Sequence, residues 1–312
     1  MPRPRAVIVA GMGGSAARGD LLAACAGERL DVPVLVHRGY GLPALAGERD
    51  LVIATSYSGD TAEAVSAAET ALTRGATLVV VTSGGALAAL AAARGLARVA
   101  LPPSLMPRLA LGYLFFPLLE VLRSVDLTVA KESEVDEALA VVARLAHELG
   151  PERPLATNDA KRLAVAIADR LPVVYGGPVT GAVAYRWKTD FEENAKTFAA
   201  AGTLPEMNHN EIEAWRGPQG RRLHLILLRD RDEPSEIARR FALVQELVGG
   251  AAGGVSESWT PGGGCLARLL GLAYVGQWVS YYLAILRGVD PWSVPMLDAL
   301  KGRMRRGPAT LG

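Results

Sequence analysis

Short apolar runs rich in β-branched residues alternate along this chain with longer segments rich in alanine and leucine. The apolar runs of the first half lie at residues 6–10, 34–36, 51–55, 77–82 and 98–101. Helical segments are expected between them, at residues 15–26, 61–74 and 85–95. Continuous apolar strands separated by helices are typical of a parallel sheet covered on both faces, so the pattern predicts an α/β fold.

The second half of the chain repeats this order after an apolar, mostly helical stretch at residues 108–149. Its predicted strands lie at residues 172–175, 223–228 and 255–259, and its predicted helices include residues 235–248 and 265–288. A strand followed by glycines and a helix occurs in both halves, as VIVAGMGG at 7–14 and PVVYGG at 172–177. We therefore predict two similar α/β domains, residues 1–150 and 151–312, each a mostly parallel sheet flanked by helices.

Charge and cysteine content exclude several classes of function. The 33 basic residues almost balance the 32 acidic ones, which leaves no strong field for a nucleic acid or an acidic membrane surface. The two cysteines, Cys25 and Cys265, form no C-x-x-C pair and predict two core thiols in a reducing compartment. The apolar residues 109–122 are too few to span a bilayer and predict a buried helix. With no targeting signal recognised, the expected location is the cytoplasm.

The first candidate motif is the sequence GMGGS at residues 11–15, between a predicted strand and a predicted helix. Glycines allow a ligand to approach the backbone, and the first N–H groups of a helix can bind an anion. The same sequence is also compatible with a tight strand-to-helix turn. It does not fit the dinucleotide pattern G-x-G-x-x-G, and no acidic residue ends the second strand, so a dinucleotide is not favoured.

The second candidate motif, TSYSGDT at residues 55–61, has the same position relative to its strand and helix. Ser56, Ser58 and Thr61 supply three hydroxyls next to a helix N-terminus, which suits a phosphate monoester without lysine or Mg²⁺. The alternative is that Asp60 or Thr61 simply caps the helix. Two such loops at strand ends of one sheet favour a ligand site, because open α/β sheets bind ligands there.

The second half carries RWKTDFEENAK at residues 186–196 and PEMNHNEI at residues 205–212. A carboxylate such as Glu193 and an imidazole such as His209 are the groups that a proton-transferring isomerase needs. By spacing alone, the carboxylates at residues 192–193 are more typical of a solvated helix face, and a single histidine of a structural residue.

These motifs together identify a family. The loops at residues 11–15 and 55–61 resemble those of SIS-domain phosphosugar proteins. The two later segments, together with PRLALG at 107–112, FFPLL at 115–119, LAR at 266–268 and GVDP at 288–291, resemble the bifunctional phosphoglucose/phosphomannose isomerases. Those proteins have two SIS domains. The resemblance covers nearly the whole chain, in the family's order.

The resemblance implies a metal-independent aldose–ketose isomerase that uses no cofactor and acts on glucose 6-phosphate and mannose 6-phosphate through a cis-enediol(ate). It implies that Glu193 is the base, that His209 opens the sugar ring and that Lys301 assists near the ring oxygen. It also implies that Arg108 stabilises the enediolate. The expected ligands of the phosphate are Ser56, Ser58 and Thr61, and those of the sugar are Gly13, Gly14 and Ser15.

The resemblance further implies a homodimer, with His209 near the interface. The main alternative is a non-catalytic SIS protein that senses a sugar phosphate, which would keep the serine loop and lose the base. The presence of Glu193, His209 and Lys301 argues against that alternative, and the lack of a helix-turn-helix extension argues against a transcription regulator.

Overall fold

The computed structural model describes residues 3–305, so the predicted domain limits at residues 1 and 312 lie outside the described residues. The strands of the first sheet are β1 (Val7–Ala10), β2 (Val34–His37), β3 (Leu51–Thr55), β4 (Thr77–Thr82) and β5 (Ala97–Ala100). They are all parallel and lie in the order β2-β1-β3-β4-β5. The strands predicted for this half are confirmed to within one residue at each end.

Helices cover both faces of the first sheet. They are α1 (Gly13–Ala26), α2 (Ala62–Thr73), α3 (Gly85–Arg94) and α4 (Leu111–Arg123). Because side chains alternate along a strand, Val7 and Val9 enter one core and Ile8 enters the other, and all three are fully buried. α2 contributes four alanines to the second of these cores, and their small side chains let the helix pack close to the sheet.

The second sheet repeats the parallel topology of the first. Its strands are β6 (Leu171–Gly176), β7 (Ala200–Thr203), β8 (Leu223–Arg229) and β9 (Gly254–Trp259), and they are parallel in the order β7-β6-β8-β9. The edge strand β7 is not among the strands that the sequence predicts. Its sequence, AAGT, has one β-branched residue and no alternation, so pairing with β6 rather than local propensity makes it a strand.

The remaining helices lie between the sheets, on the outer face of the second sheet and at the end of the described chain. They are α5 (Glu132–Leu149), α6 (Asp159–Ile167), α7 (Gly181–Asn194), α8 (Ser235–Gly249), α9 (Cys265–Leu286) and α10 (Pro295–Arg305). One core cluster contains side chains of both sheets and of α1, α4, α5, α6, α7 and α9. Although α5 precedes the predicted domain boundary, it packs against α9, so the two halves share this core. The boundary at residue 150 stays a prediction.

Two apolar helices of the described chain are largely buried. Within the described part of the chain, α9 is the one helix long and apolar enough to cross a membrane, but 67% of its apolar window is buried inside the protein. That burial is typical of the central helix of a compact core. The apolar stretch at residues 109–122 forms most of α4, whose Leu114, Phe115 and Leu118 are fully buried, as predicted.

His224 on β8 makes the stability of this fold depend on pH. The side chain is 2% exposed, and its Nε2 lies 2.9 Å from Ser256 Oγ. Burial lowers its pKa from 6.5 to about 4, and the positive charge of Arg170 adds to the effect. The unfolded chain therefore binds this proton more tightly than the folded one, so the stabilisation is complete above pH 6.5 and is lost as pH falls towards 4.

We expect His224→Gln to remove this dependence. Between pH 6.5 and 4, urea unfolding of the wild type should lose up to about 3 kcal/mol more stability than the variant does. The matched control is His147→Gln, which changes an exposed histidine on α5 and should follow the wild type. Parallel stability curves for the wild type and His224→Gln would contradict the assignment.

Candidate functional site

The two loops singled out in the sequence meet at the carboxyl edge of the first sheet. They follow β1 and β3, which are adjacent, with Ala10 opposite Ala54. The chain leaves β1 towards β2 on one side, whereas β3 and the later strands extend the sheet on the other side. Ligands of open α/β sheets bind in the crevice at such a reversal of strand order. The predicted position of the site is therefore consistent with the topology.

The glycines of residues 11–15 bring the first loop close to the second. A Cβ on Gly11 would lie 2.7 Å from the Thr55 carbonyl oxygen, so a side chain there would force the loops apart. Gly13 has a φ of +50°, a conformation that other residues rarely adopt. The side chain of Met12, at the N-cap position of α1, makes no capping hydrogen bond. The N-terminus of this helix, at the same edge of the sheet, is therefore not capped by an N-cap side chain.

The serine loop is held by its own hydroxyls. Ser56 is buried, and its Oγ lies 2.8 Å from Thr61 Oγ1 and accepts a hydrogen bond from the Gly59 N–H at 3.1 Å. Ser58 is exposed. The side chain of Thr61 does not cap α2, and Asp60 accepts a hydrogen bond from the Ala86 N–H at the start of α3 instead. The simple helix-capping explanation of this loop therefore does not describe what these side chains do.

Tyr57 links the serine loop to the segment that leads to Arg108. Its hydroxyl donates to the Pro102 carbonyl oxygen at 2.6 Å and accepts from the Leu105 N–H at 2.7 Å. The ring is buried, so both bonds are shielded from water. The serine loop and the segment that leads to Arg108 are thus fixed relative to each other.

Arg108 and Glu193 form the pair of charges at the centre of the site. Arg108 Nη1 lies 3.7 Å from the Oε2 atom of Glu193, a residue on the last turn of α7. The Arg108 side chain is 5% exposed and that of Glu193 is 26% exposed, so the carboxylate can be reached from solvent while the guanidinium is held inside. The structure therefore brings together two residues that lie far apart in the sequence.

Hydrogen bonds to three other groups fix the Arg108 guanidinium. Its Nε donates to Asn194 Oδ1 at 2.8 Å, and its Nη2 donates to the carbonyl oxygens of Pro291 and Trp292 at 2.6 and 2.7 Å. Asn194 in turn donates to Ser280 Oγ on α9 at 2.9 Å. Because each donor has a fixed direction, the guanidinium presents its remaining nitrogen, Nη1, towards Glu193.

The backbone of Arg108 is fixed as strongly as its side chain. Its carbonyl oxygen accepts hydrogen bonds from Arg18 at 3.0 Å, Arg186 at 2.7 Å and Gln277 at 3.0 Å. These donors come from α1, α7 and α9. Arg18 also donates to the carbonyl oxygen of Gly14, so one buried guanidinium connects the predicted sugar-side glycines to the backbone of Arg108.

The charges around this carbonyl group are buried and unbalanced. Arg186 forms an ion pair with Asp190 at 2.6 Å, and both side chains are 1% exposed. Burial, assisted by the positive charge of Arg186, lowers the pKa of Arg18 well below its usual value, and burial raises the pKa of Asp190 to about 6. Three guanidinium groups thus surround two carboxylates, Asp190 and Glu193. This excess of positive charge favours an anionic ligand or intermediate.

The neighbours of Glu193 differ in their roles. Glu192 is paired with Lys188 at 2.6 Å, one turn earlier on α7. Lys196 donates to the Glu193 carbonyl oxygen at 2.7 Å, and burial and the charge of Arg108 lower the pKa of this lysine. The two adjacent glutamates of α7 therefore have different environments, and Glu193 is the one that faces Arg108.

His209 and Lys301 lie apart from this centre. His209 ends a short 3₁₀ turn, Glu206–His209, and is exposed. Lys301 is on α10, where every residue from 295 to 301 is exposed. Within the described residues of one chain, neither side chain makes a hydrogen bond or ion pair with Glu193 or Arg108. The structure therefore joins the predicted base and arginine but not the predicted ring-opening groups.

Several groups that hold the site are missing from the sequence-based predictions. They are Arg18, Tyr57, Arg186, Asp190, Asn194 and Gln277. The sequence contains one weak signal for this group of residues. Arg18 is the one basic residue in an alanine- and leucine-rich helix segment, and a buried charge needs a partner.

Two further observations concern possible ligand and metal sites elsewhere in the described chain. A groove of about 1010 Å³ lies between α5, α6 and β9, and none of the candidate site residues line it. No three His, Cys, Asp or Glu side chains within residues 3–305 are grouped so that they could hold a metal ion.

The chemistry available at the centre is proton transfer beside an anion. A partly exposed carboxylate can remove a proton next to a carbonyl group, and the fixed guanidinium beside it can stabilise the oxyanion that results. The glycine and serine loops at the same sheet edge offer N–H and O–H donors to a second, permanent anion.

Comparison with known proteins shows the family to which this chain belongs. The family model for the bacterial phospho-glucose isomerase C-terminal SIS domain matches residues 156–304, and that for the SIS domain matches residues 3–97. The chain is 36% identical over 301 residues to a bifunctional phosphoglucose/phosphomannose isomerase of Caldicellulosiruptor bescii, with 96% of this chain and 89% of that protein covered. A protein of the same name from Thermoplasma volcanium is 32% identical, with 95% and 90% covered.

A solved structure gives the same result. The crystal structure of a glucose-6-phosphate isomerase like protein from Thermus thermophilus has a TM-score of 0.65 and 26% identity, and the match covers 97% of this chain and 88% of that one. The resemblance noted in the sequence is therefore confirmed along the length of the chain. This protein belongs to the bifunctional phosphoglucose/phosphomannose isomerase family.

Proposed function

We propose that this protein interconverts glucose 6-phosphate, and also mannose 6-phosphate, with fructose 6-phosphate, without a metal ion. The observation that carries the proposal is the ion pair between Arg108 and Glu193 beside the glycine and serine loops. A base, a fixed cation and a set of anion donors are the parts that an aldose–ketose isomerase needs. Membership in the family supplies the substrates.

In this proposal the sugar phosphate binds at the edge of the first sheet. The hydroxyls of Ser56, Ser58 and Thr61 and the N-terminal N–H groups of α2 donate hydrogen bonds to the phosphate oxygens. Gly13, Gly14 and Ser15 contact the sugar. Because neither motif carries a lysine, the phosphate is held mainly by neutral donors. The excess positive charge near Arg108 is then available to stabilise negative charge at C1 and C2 of the sugar.

The reaction begins when His209, assisted by Lys301, opens the sugar ring by moving a proton between the ring oxygen and the C1 hydroxyl. Glu193 then removes the C2 proton of the aldose, and the electron pair forms a C1–C2 double bond while negative charge develops on O1. Arg108 stabilises that oxyanion. The proton of the C2 hydroxyl passes to O1, Glu193 returns its proton to C1, and the C2 carbonyl of the ketose is formed. If the base reaches C2 on either face of the enediolate, the same steps interconvert the two epimers.

The direct test is a coupled assay with fructose 6-phosphate, with a metal chelator present and with glucose 6-phosphate and mannose 6-phosphate measured separately. Formation of both products is the expected result. Formation of glucose 6-phosphate alone would agree with the proposed mechanism but exclude mannose 6-phosphate as a substrate. Tight binding of fructose 6-phosphate without either product would favour a non-catalytic sensor and contradict the proposal.

The serine loop leads to a prediction about substrate binding. Ser56→Ala should raise KM for fructose 6-phosphate about tenfold and leave kcat within about twofold, because a hydrogen bond to a charged phosphate contributes equally to the ground and transition states. Thr73→Ala is the control, since that hydroxyl donates to the Glu69 carbonyl oxygen of its own helix. A loss confined to kcat would place Ser56 in the chemistry rather than in phosphate binding.

We also propose that the working enzyme is a homodimer and that its site is completed by the second subunit. The exposed segments that carry His209 and Lys301 are accompanied by large exposed apolar side chains: Phe198, Trp292, Met296, Leu300 and Met304. If these side chains form one continuous surface in the folded protein, an apolar patch of that kind is typical of a protein–protein interface. The cytoplasmic location stays a prediction.

Mixing two inactive variants tests whether His209 acts across the interface. Subunits with Glu193→Gln and subunits with His209→Ala should each be inactive alone. Random mixing produces heterodimers in which one of the two sites is intact, so about a quarter of wild-type activity should return. Co-expression with two different affinity tags allows the heterodimer to be purified, and about half of wild-type activity is expected for it. If both groups act within one subunit, every site keeps a defect and no activity returns.

A further inference from the structure

The two cysteines of the chain meet in the core that the two halves share. Cys25 lies near the end of α1, and Cys265 is the first residue of α9, 240 positions later. Their sulfurs are 3.1 Å apart, and the residues are 3% and 8% exposed. Nothing in the local sequence around either cysteine predicts this pairing. Since the chain contains no third cysteine, each thiol has one intramolecular partner.

The environments of the two thiols differ in a way that makes one of them the nucleophile. The hydrogen bond between the sulfurs lowers the pKa of Cys265, and the positive charge of Arg268 lowers it further. The same hydrogen bond and burial raise the pKa of Cys25 well above its usual value. Cys265 also lies at the N-terminus of α9, where the helix dipole favours a thiolate.

A short glycine segment lies next to Cys265 in the sequence. Residues 262–264 precede Cys265, and Gly263 is exposed. Gly262 has a φ of +85°, and a carboxylate oxygen of Glu137 on α5 accepts a hydrogen bond from the Gly263 N–H at 2.7 Å. The segment before Cys265 is thus a loop without side chains that hydrogen bonds to one carboxylate hold in place. Because both thiols are buried, a molecule as small as hydrogen peroxide suits them better as an oxidant than a large disulfide does.

We propose that Cys25 and Cys265 are a reversible oxidation site that closes an intrachain disulfide when the protein meets a hydroperoxide. The Cys265 thiolate attacks one peroxide oxygen, the O–O bond breaks, and the oxygen retained on sulfur produces a sulfenic acid while hydroxide leaves. The Cys25 sulfur then attacks the Cys265 sulfur, and the sulfenic oxygen leaves as water. Two thiols and one hydrogen peroxide thus yield one disulfide and two waters.

The disulfide would join the two helices that also position the proposed active site. The N-terminal part of α1 carries Gly14 and Arg18, and the middle of α9 carries Gln277. A bond between Cys25 and Cys265 closes a loop of about 240 residues, which restricts the unfolded chain far more than the folded one. The expected consequence is therefore higher stability, with little change in the geometry around Arg108.

The test is peroxide treatment of the full-length protein followed by mass spectrometry under non-reducing conditions. We expect the loss of two hydrogens, a linked peptide pair containing Cys25 and Cys265, and no thiol that can be alkylated after denaturation. The melting temperature should rise by roughly 5–10 °C and return when dithiothreitol is added. In Cys25→Ala, which keeps the site small and apolar, peroxide should leave a sulfenic acid on Cys265, to be trapped by dimedone that is present while the protein is unfolded.

Two results would overturn the proposal. In the first, both thiols can still be alkylated after peroxide treatment of the folded wild type. In the second, the cysteines reach sulfinic or sulfonic acid, or join different chains, without an intrachain link. The wild-type peptide map decides between these outcomes even if a cysteine variant fails to fold. Cys25→Ala combined with Cys265→Ala serves as the control whose melting temperature peroxide should not raise.

Discussion

Glu193→Gln should lower kcat for isomerisation by about 10³-fold or more, because the amide cannot accept the proton from the sugar carbon. The substitution keeps the size of the side chain and leaves an oxygen that can still face Arg108. Binding of fructose 6-phosphate should therefore change little, with a dissociation constant within about threefold of the wild type. The combination of retained binding and lost turnover is what distinguishes a base from a binding residue.

The measurement is kcat from the coupled assay, with binding followed by calorimetry. Glu192→Gln is the matched control, because that carboxylate is next in sequence but is paired with Lys188 instead of Arg108. It should keep most of the activity. Turnover near that of the wild type in Glu193→Gln would remove Glu193 from the mechanism. Equal losses of kcat in both variants would mean that activity depends on the negative charge at the end of α7 and not on Glu193 as the base.

Arg108→Lys should lower kcat by about 10²–10³-fold although the positive charge is retained. Lysine has a single nitrogen and cannot reach Asn194, Pro291 and Trp292 together, as the guanidinium does. The cation would then no longer have a fixed position beside Glu193. The buried acceptors left without a donor should also cost about 2 kcal/mol of folding stability.

Steady-state kinetics and urea unfolding of the same preparation separate these two effects. Arg123→Lys is the control, because that arginine is partly exposed at the end of α4 and pairs with surface glutamates. It should leave both activity and stability near the wild type. A kcat within about twofold of the wild type for Arg108→Lys, in protein that is folded, would contradict the proposed role of the fixed guanidinium.

The strands show how much of the fold can be predicted from the local sequence pattern. Runs such as residues 51–55 and 77–82 are predicted with both ends correct, because their apolar side chains face a core on each side of the sheet. The edge strand β7 cannot be predicted in that way, since its AAGT sequence has a neighbouring strand on one side only and little to bury. Its strand conformation is supplied by hydrogen bonds to β6, and these depend on the packing of the sheet rather than on the four residues themselves.

The candidate site also has a part that the local sequence predicts and a part that depends on the tertiary structure. The glycine and serine loops can be found in the sequence because each is a local unit, a strand followed by small or hydroxyl residues and a helix. That these loops are adjacent is an inference from the rules of parallel sheets, and the pairing of β1 with β3 agrees with it. Whether His209 and Lys301 join Glu193 stays a prediction, because within one chain both lie on exposed segments.

The sequence by itself determined the α/β class, the position of both candidate anion-binding loops and the family, because these are carried by contiguous residues with a regular pattern. Only the tertiary structure decided which charges are buried together. Arg18, Arg186 and Gln277 converge on one carbonyl oxygen from three helices, and nothing in the local sequence of any of them indicates that target. A buried guanidinium is stable only where acceptors from several elements surround it, and that condition is set by the packing of the whole chain.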